Sequence, residues 1–177
     1  MRPGIGKINN VFKIYDSESN RPLDGVVTVE LPNFELLTET YKGAGVAGEV
    51  NVPAPGVMSA MTATISCQKI YGEIMQYLEL GSTKTLDLRN EIIVLNTDNH
   101  AQEKVSDRWV IKGPLSGSNP GSIEPASPSD ASVTMQVYYV HHWMDGADKL
   151  EWDPFKFIYT VNGKDMMETT RQNILVG

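Results

Sequence analysis

The sequence predicts a mainly β protein: an antiparallel β-sandwich or barrel with one flanking α-helix at about residues 68–79 and long extended loops. Three observations predict this class. Apolar and polar residues alternate with a period of two in six or seven segments. A single segment has a helical period. Two long segments have neither period. The length of 177 residues suits a single domain over residues 1–177.

The predicted strands follow one another along the chain. Val27, Val29 and Leu31 alternate with Thr28 and Glu30, and the strand stops at Pro32. The next core-facing set is Met61, Ala63, Ile65 and Cys67, with Thr62, Thr64 and Ser66 on the opposite face. Further strands are expected at 86–95, 108–112, 133–143 and 150–161. The last of these has a phase shift at Pro154, which suggests a bulge or an edge.

The helix and the closing turn rest on local signals. Ile70, Ile74, Tyr77 and Leu78 form one apolar stripe, and Gly81 is placed to end the helix. Asn162-Gly163 is the strongest short hairpin signal in the chain and predicts a type I′ turn. The segments 32–58 and 113–130 are expected to be loops outside the core, the second exposed and mobile because Gly, Pro, Ser and acids dominate it.

Composition narrows the function classes. The formal net charge of −7 argues against a dedicated nucleic-acid binder, which would present a basic face. The single cysteine, Cys67, lies in an apolar run and is expected to be a small buried hydrophobe. Neither a signal peptide nor a membrane-spanning run is recognisable, so we expect folding in a reducing cytosol.

The sequence contains two patterns that suggest chemistry, and neither has the context that the chemistry needs. Residues 43–48 spell G-x-G-x-x-G, but no apolar strand precedes them, and Pro53 and Pro55 forbid the phosphate-binding helix that should follow. His141, His142 and Asp145 resemble a metal cluster, yet adjacent strand residues point to opposite faces. We therefore predict no catalytic site, no metal and no cofactor.

Three segments resemble a known family, the major tail tube proteins of contractile-tailed phages. Residues 39–48, ETYKGAGVAG, resemble that family's Gly-Ala-Gly loop. Residues 161–174, VNGKDMMETTRQNI, resemble its closing V-N-G hairpin and Arg-Asn-Ile ending. Residues 8–12, INNVF, resemble its opening, and the predicted helix lies at the family's helix position. The segment 113–130 and the residues before Val26 depart from the pattern.

The resemblance implies a structural protein and not an enzyme. Such subunits form hexameric rings whose inner strands join into a continuous barrel, and the rings stack into a tube. The implied partners are further copies of the chain, sheath, baseplate and tail-terminator proteins, while DNA or a tape-measure protein passes through the lumen without specific binding. The implied location is a virion or phage-tail-like particle assembled in the bacterial host cytoplasm.

The resemblance and the residue patterns together nominate two sets of site residues. The expected subunit and ring interface comprises Tyr41, Lys42, Gly43, Ala44, Gly45, Gly48, Asn162, Gly163, Arg171 and Asn173. The expected lumen-facing residues are Thr28, Glu30, Thr62, Thr64 and Ser66. Two alternatives remain open at this point: a cytosolic ligand-binding β-barrel and a tube protein of the type VI secretion kind.

Overall fold

The computed structural model describes residues 4–174, with side chains from residue 7. Its elements are strands, one 3₁₀ helix at Gly72–Leu78 and one short α-helix, α1, at Glu168–Ile174. The strands are β1 Gly4–Asp16, β2 Arg21–Pro22, β3 Val26–Glu30, β4 Leu36–Tyr41, β5 Val50–Met58, β6 Thr62–Cys67, β7 Thr83–Asn96, β8 Gln102–Asn119, β9 Ala131–Gln136, β10 Tyr139–Met144, β11 Ala147–Asp153, β12 Ile158–Val161 and β13 Lys164–Asp165. The predicted mainly β, antiparallel class is confirmed.

Two sheets share one long strand. Sheet A has the order β13-β12-β11-β10-β8-β7-β1-β2, and sheet B has the order β3-β6-β9-β8. The first part of β8 pairs with β7 and β10, and its last residues, from Leu115, pair with β9. Every pairing is antiparallel. The two sheets do not close into a barrel, so the arrangement is an open sandwich.

The chain changes sheets at a glycine. At Gly113, β8 leaves β10 and approaches β9 so closely that a Cβ would overlap the Gln136 carbonyl oxygen. The segment that links β9 to β10 turns at the same level. There Val137 N–H donates to the Met61 carbonyl (2.9 Å), and Tyr138 N–H donates to the Lys112 carbonyl (2.9 Å). The strand expected over 133–143 is therefore two strands, β9 in sheet B and β10 in sheet A.

The core lies between the sheets and beneath the 3₁₀ helix. Sheet B contributes the predicted set Met61, Ala63, Ile65 and Cys67, all buried. Sheet A contributes Ile14, Leu86, Leu88, Ile111, Val140 and Trp152. One buried charge, Asp16, is satisfied because Ser19 N–H, Ser19 Oγ–H and the Tyr77 hydroxyl all donate to its carboxylate.

The predicted phase of β3 is partly wrong. A bulge separates the pairs Val26–Cys67 and Thr28–Ser66, so Val26 takes a core-facing position and Val27 does not. Val29 packs against the core, whereas Val27 and Leu31 are exposed. A bulge adds one residue to one strand, so the side chains that precede it along the strand change faces. Two apolar side chains expected in the core are therefore in contact with water.

The predicted helix is shorter than expected and of another type. The 3₁₀ helix spans Gly72–Leu78, and its buried side chains, Ile74 and Tyr77, are three residues apart, which is the 3₁₀ period. Seven residues are too few to propagate a stable α-helix without strong packing along its whole length. The α-helix α1 was not predicted, and none of its side chains is buried.

Both expected loop segments contain strands. Residues 32–58 hold β4 and β5, which form a hairpin with its own two-stranded sheet. Residues 113–119 belong to β8, and the exposed loop is confined to 120–130, where Ile123 is 98% exposed. Backbone bonds close this loop at its base, from Ser122 N–H to the Ser129 carbonyl (2.8 Å) and from Ser129 N–H to the Gln68 carbonyl (2.7 Å).

The C-terminal strand expected at 150–161 is a hairpin. Asp153 pairs with Ile158, and the residues between them form the turn, which explains the phase shift at Pro154. Asn162 (φ 50°) and Gly163 (φ 77°) both have positive φ, so the predicted type I′ turn is confirmed. Among the described residues, no helix has the length and apolarity needed to cross a bilayer.

Candidate assembly surfaces

The hairpin β4–β5, called the arm below, projects from the sandwich. Every residue of β4 is exposed, and the strands pair only with each other among the described residues. Four of its apolar side chains are in contact with water: Leu37, Tyr41, Val50 and Val52. An isolated two-stranded hairpin is marginal in water. The arm is therefore a surface that gains stability when another chain covers it.

The predicted Gly-rich interface residues lie together at the tip of the arm. Tyr41 ends β4, and Lys42 forms an exposed ion pair across the tip with Glu49 (2.8 Å). Gly45 (φ 93°) and Gly48 (φ 129°) have the positive φ that favours glycine. Gly43 has no such angle, and a Cβ there would meet only the Tyr41 ring. Since β5 and no helix follows Gly48, the tip lacks the helix N-terminus of a nucleotide-binding loop.

The C-terminal interface residues have a different setting. Asn162 and Gly163 form the exposed β12–β13 turn, and Asn173 is exposed on α1. Arg171 is occupied within the subunit: its guanidinium donates to the Asp165 carboxylate and to the Phe157 carbonyl (2.7 Å). Arg171 thus fastens α1 to the hairpin beneath it, a role that its sequence position alone did not indicate.

The root of the arm touches the C-terminal segment. Met167, which is buried, lies so close to the backbone of Gly56 in β5 that a Cβ at Gly56 would overlap the Met167 sulfur. The Ser59 N–H donates to the Glu35 carbonyl (2.8 Å) where the arm leaves the sandwich. The root of the arm is therefore in direct contact with the C-terminal segment that resembles the tube family.

The outer face of sheet B carries all five expected lumen residues. Thr28 pairs with Ser66 and Glu30 with Thr64, so these side chains share one face with Thr62. Strand β9 extends the same face with Ser132, Thr134 and Gln136. We call this set the Ser/Thr face. Its members are neutral apart from Glu30, and it contains no lysine or arginine.

A groove of about 370 Å³ runs between β1 and β3. Its rim holds the exposed apolar residues Val11, Phe12, Val27 and Leu31, and its floor includes Trp109. Val27, which the β3 bulge turned away from the core, thus lies beside three other exposed apolar side chains. Grouped exposed apolar side chains mark surfaces that another molecule covers.

The floor of the groove is polar, and hydrogen bonds converge there on Asp107. Asp107 accepts from His142 (2.6 Å), Asn90 (3.2 Å) and Trp109 (3.3 Å). The His142 ring also stacks on Trp109 with centroids 3.9 Å apart. Burial opposes the charge on Asp107, yet these donors outweigh burial and lower the pKa of its carboxyl.

The outer face of sheet A carries charges instead. Asp87 is buried there beneath two arginines: Arg108 donates to both of its oxygens (2.8 and 3.0 Å), and Arg89 donates to one (2.7 Å). Arg89 lies over the Tyr15 ring and Arg108 over the Trp143 ring, at 4.5 and 5.1 Å. The two outer faces of the sandwich therefore differ in chemistry, one charged and aromatic, the other Ser/Thr-rich.

A protein-family model described as phage tail tube protein FII matches residues 7–174 of this chain. The chain belongs to that family. A search of curated proteins gives no significant match. The family match spans both sheets, the arm and α1, and it identifies the chain as a structural subunit of a phage tail tube and a component of the virion tail.

As a tail tube subunit, the protein needs surfaces for self-assembly, and the structure provides more of them than the sequence indicated. The free strand edges, the groove and the neutrality of the Ser/Thr face depend on strand register, which periodicity alone does not give. The alternative of a cytosolic ligand-binding β-barrel is not supported, because the described strands leave the sandwich open.

Proposed function

We propose that six copies of this chain close into a ring and that such rings stack into the inner tube of a contractile phage tail or a phage-derived bacteriocin particle. The number six comes from the family resemblance. The observation that carries ring closure is that sheet B has four strands with two free edges. Unpaired edges are normally covered or blocked in a soluble protein.

The two free edges are complementary in direction. Among the described residues, β3 pairs only with β6, and residues 116–119 of β8 pair only with β9, whereas Leu115 is also bonded to the backbone of Gly81 and Ser82. Because the order β3-β6-β9-β8 is antiparallel throughout, β3 and β8 run in opposite directions. A β8 edge that pairs with β3 of the next subunit continues the antiparallel alternation. This is a heterologous contact, and repeating it around an axis closes a ring.

The geometry of such a ring suits a genome-conducting tube. Six four-stranded sheets give about 24 strands, and a spacing of about 4.8 Å gives a backbone radius of about 18 Å or more, since strand tilt widens a barrel. The Ser/Thr face then lines the bore. A neutral or mildly acidic lining releases no counterions from DNA, so a duplex is not held by it.

The arm and the groove supply a second contact. The arm has six exposed apolar side chains, since Leu36 and Val57 join the four at Leu37, Tyr41, Val50 and Val52, and the groove rim has another four. We place the arm of one subunit in the groove of a subunit in the adjoining ring, which removes both sets from water. Burial of apolar surface stabilises such a contact by roughly 25 cal/mol per Å². Ring closure then uses the backbone edge of β3, and ring stacking uses the groove beside it, to whose rim β3 contributes Val27.

The remaining partners follow from this arrangement. Sheath, baseplate and tail-terminator proteins contact the outside and ends of the tube, while DNA or a tape-measure protein passes along the bore. Assembly takes place in the cytoplasm of the bacterial host. A phage or phage-derived particle is favoured over the type VI secretion alternative because the matching family is a phage tail family.

Engineered cysteines test ring closure. Thr28→Cys on β3 and Asn119→Cys on β8 lie in one cross-strand row, three strand spacings or about 14 Å apart within a subunit. A short bis-maleimide therefore joins them only between subunits. The native Cys67 is buried and serves as an unreactive background. A second pair combines Thr28→Cys with Gly117→Cys. It is needed because the register between β8 of one subunit and β3 of the next decides which β8 residue lies opposite Thr28.

We expect rods by negative-stain microscopy and a cross-linked ladder that extends to hexamers for one of the two pairs. Each single-cysteine variant is the control and should give no ladder. Wild-type protein that forms neither rings nor rods contradicts the assembly proposal. Rods whose ladder stops at dimers, or that do not cross-link with either pair, contradict closure through the β3 and β8 edges.

A further inference from the structure

Three potential metal ligands lie together on the outer face of sheet A, away from the Ser/Thr face. His141 is on β10, and Asp148 and Glu151 are on the adjacent strand β11. One ligand atom from each residue lies within 4.8 Å of the other two. The sequence suggests a different set, His141 with His142 and Asp145, which strand geometry excludes because adjacent residues point to opposite faces. The structure confirms that His142 faces Asp107, and it brings His141 to a different pair of carboxylates.

A β-bulge creates the cluster. Residues three apart on a regular strand point to opposite faces, so Asp148 and Glu151 would not meet. The register shifts between His142 and Trp143, so Lys149 has no partner on β10. As a result Asp148 lies opposite Trp143, while Glu151 stays opposite His141. The bulge thereby turns Asp148 onto the face of Glu151 and His141. Bulges of this kind re-aim side chains at functional sites.

The histidine ring is held in one orientation from both sides. It stacks on Trp143 with centroids 3.6 Å apart. Its Nδ1 lies 3.0 Å from the Tyr139 hydroxyl, which donates to Glu151 at 3.2 Å.

The Tyr139 hydroxyl has one proton, which it donates either to Glu151 or to Nδ1 of His141. If Tyr139 donates to Glu151, its oxygen accepts from Nδ1–H, and the lone pair of a neutral His141 then resides on Nε2. Nε2 lies 3.0 Å from Asp148 Oδ2. A lone pair that faces a carboxylate at this distance needs a cation between or beside the two atoms. That cation is either a proton or a metal ion.

We propose that His141 Nε2, Asp148 and Glu151 form a binding site for a divalent transition-metal ion of the Zn²⁺ type. One imidazole and two carboxylates are a donor set that Zn²⁺ accepts, with water in the open position. Bonds of about 2.0–2.2 Å place tetrahedral ligands about 3.3 Å apart, so ligand atoms that lie up to 4.8 Å apart must close in by at most about 1.5 Å. Asp148 has that freedom, since its side chain is 46% exposed.

Two further observations favour a metal ion over a permanent ion pair. In the described part of the chain, no lysine or arginine forms an ion pair with Asp148 or Glu151. The nearby Arg108 is committed to Asp87. The Tyr139 hydroxyl occupies the position of an outer partner that holds a metal-binding histidine and raises its basicity.

Isothermal titration of the full chain with Zn²⁺ at pH 7, with any histidine tag removed, tests the site. We expect one ion per chain. Binding should be lost in His141→Gln and in Asp148→Asn, and Tyr139→Phe should weaken it by about 10-fold to 100-fold, as loss of an outer partner does. His100→Asn is the matched control, because His100 is exposed in the β7–β8 turn and its left-handed φ of 57° suits asparagine.

Co²⁺ in place of Zn²⁺ gives a spectroscopic readout, since visible bands report bound ligands directly. Circular dichroism of each variant establishes that it is folded. Wild-type protein that takes up no Zn²⁺ overturns the proposal and leaves a shared proton between His141 and Asp148. Binding that persists in Asp148→Asn, or that disappears in His100→Asn, also overturns it, because the ion then resides elsewhere.

Discussion

At the scale of single residues, three buried carboxylates are each balanced by specific donors. Asp87 lies between two arginines, Asp107 between a histidine, an asparagine and a tryptophan, and Asp16 accepts from Ser19 and Tyr77. Burial alone would make each carboxylate unfavourable, and removing one donor would leave a costly unpaired charge. The hydrogen bonds therefore make the stability of this subunit depend on pH in a defined direction.

Acid should destabilise the subunit through Asp87. Burial opposes its charge, but hydrogen bonds from Arg108 and Arg89 prevail and hold the pKa of its carboxyl below the usual value. A lowered pKa in the folded state adds stability above about pH 4, and this is lost as pH falls through the folded-state pKa. We expect urea unfolding between pH 5 and pH 2.5 to show a smaller loss of stability in Asp87→Asn than in wild type.

The matched control for this experiment is Asp98→Asn, at an exposed position in the β7–β8 turn. It should follow the wild-type pH dependence. Asp87→Asn should also be less stable than wild type at pH 7, because two arginines lose their acceptor. A wild-type slope in Asp87→Asn would show that other carboxylates control acid unfolding.

At the scale of elements, strand periodicity predicted well where a strand is regular and failed where it is interrupted. The alternation of Met61 to Cys67 placed β6 correctly, because β6 itself is regular and pairs with β9 in an unbroken register from Thr62 to Cys67. In β3, one bulge reversed the faces of Val27 and Val26. At Gly113 the failure has a tertiary cause: the strand leaves one sheet for another, and local sequence does not encode the second sheet.

The surfaces of the candidate site, like the strands, could be predicted only where local sequence determines them. The arm tip and the Ser/Thr face follow from Gly spacing and from polar alternation, both of which are local. The groove and the cluster of His141, Asp148 and Glu151 could not be predicted, since each depends on a bulge or on pairing between distant strands.

Gly113→Ala should destabilise the fold because its Cβ would overlap the Gln136 carbonyl oxygen at the strand crossing. Relief requires β8 and β9 to separate, and overpacking of this kind costs about 1–3 kcal/mol. Gly117→Ala is the control in the same strand, where the added Cβ meets open space. Thermal unfolding of the two purified variants compares them. Equal melting temperatures would mean that the crossing adjusts without cost.

At the scale of the whole molecule, the sandwich separates its tasks between two faces. The Ser/Thr face of sheet B is nearly uncharged, whereas sheet A exposes arginines, lysines and aromatic rings. In the proposed tube, only the first can line a bore through which DNA slides, since lysines repeated in every ring would sum to a large barrier. The net charge of −7 is then carried mainly outside the bore.

Thr64→Lys tests this assignment in assembled tubes, because it introduces a cation at the centre of the Ser/Thr face. We expect variant tubes to retain short DNA duplexes in a nuclease-protected form at about 50 mM salt and to release them by about 200 mM. Wild-type tubes should retain none. Gln102→Lys, at an exposed site on the start of β8, is the control and should give no protection. Equal protection by both lysine variants would remove the Ser/Thr face from the bore.

The continuity of β8 through both sheets has a mechanical consequence. This strand of 18 residues belongs to sheet A at one end and to sheet B at the other. Tension applied along it passes from layer to layer through covalent backbone bonds, which are far stiffer than contacts between core side chains. The two layers therefore stretch together and resist sliding over each other. In the proposed contractile tail, recoil during contraction would load the two layers of each subunit at the same moment.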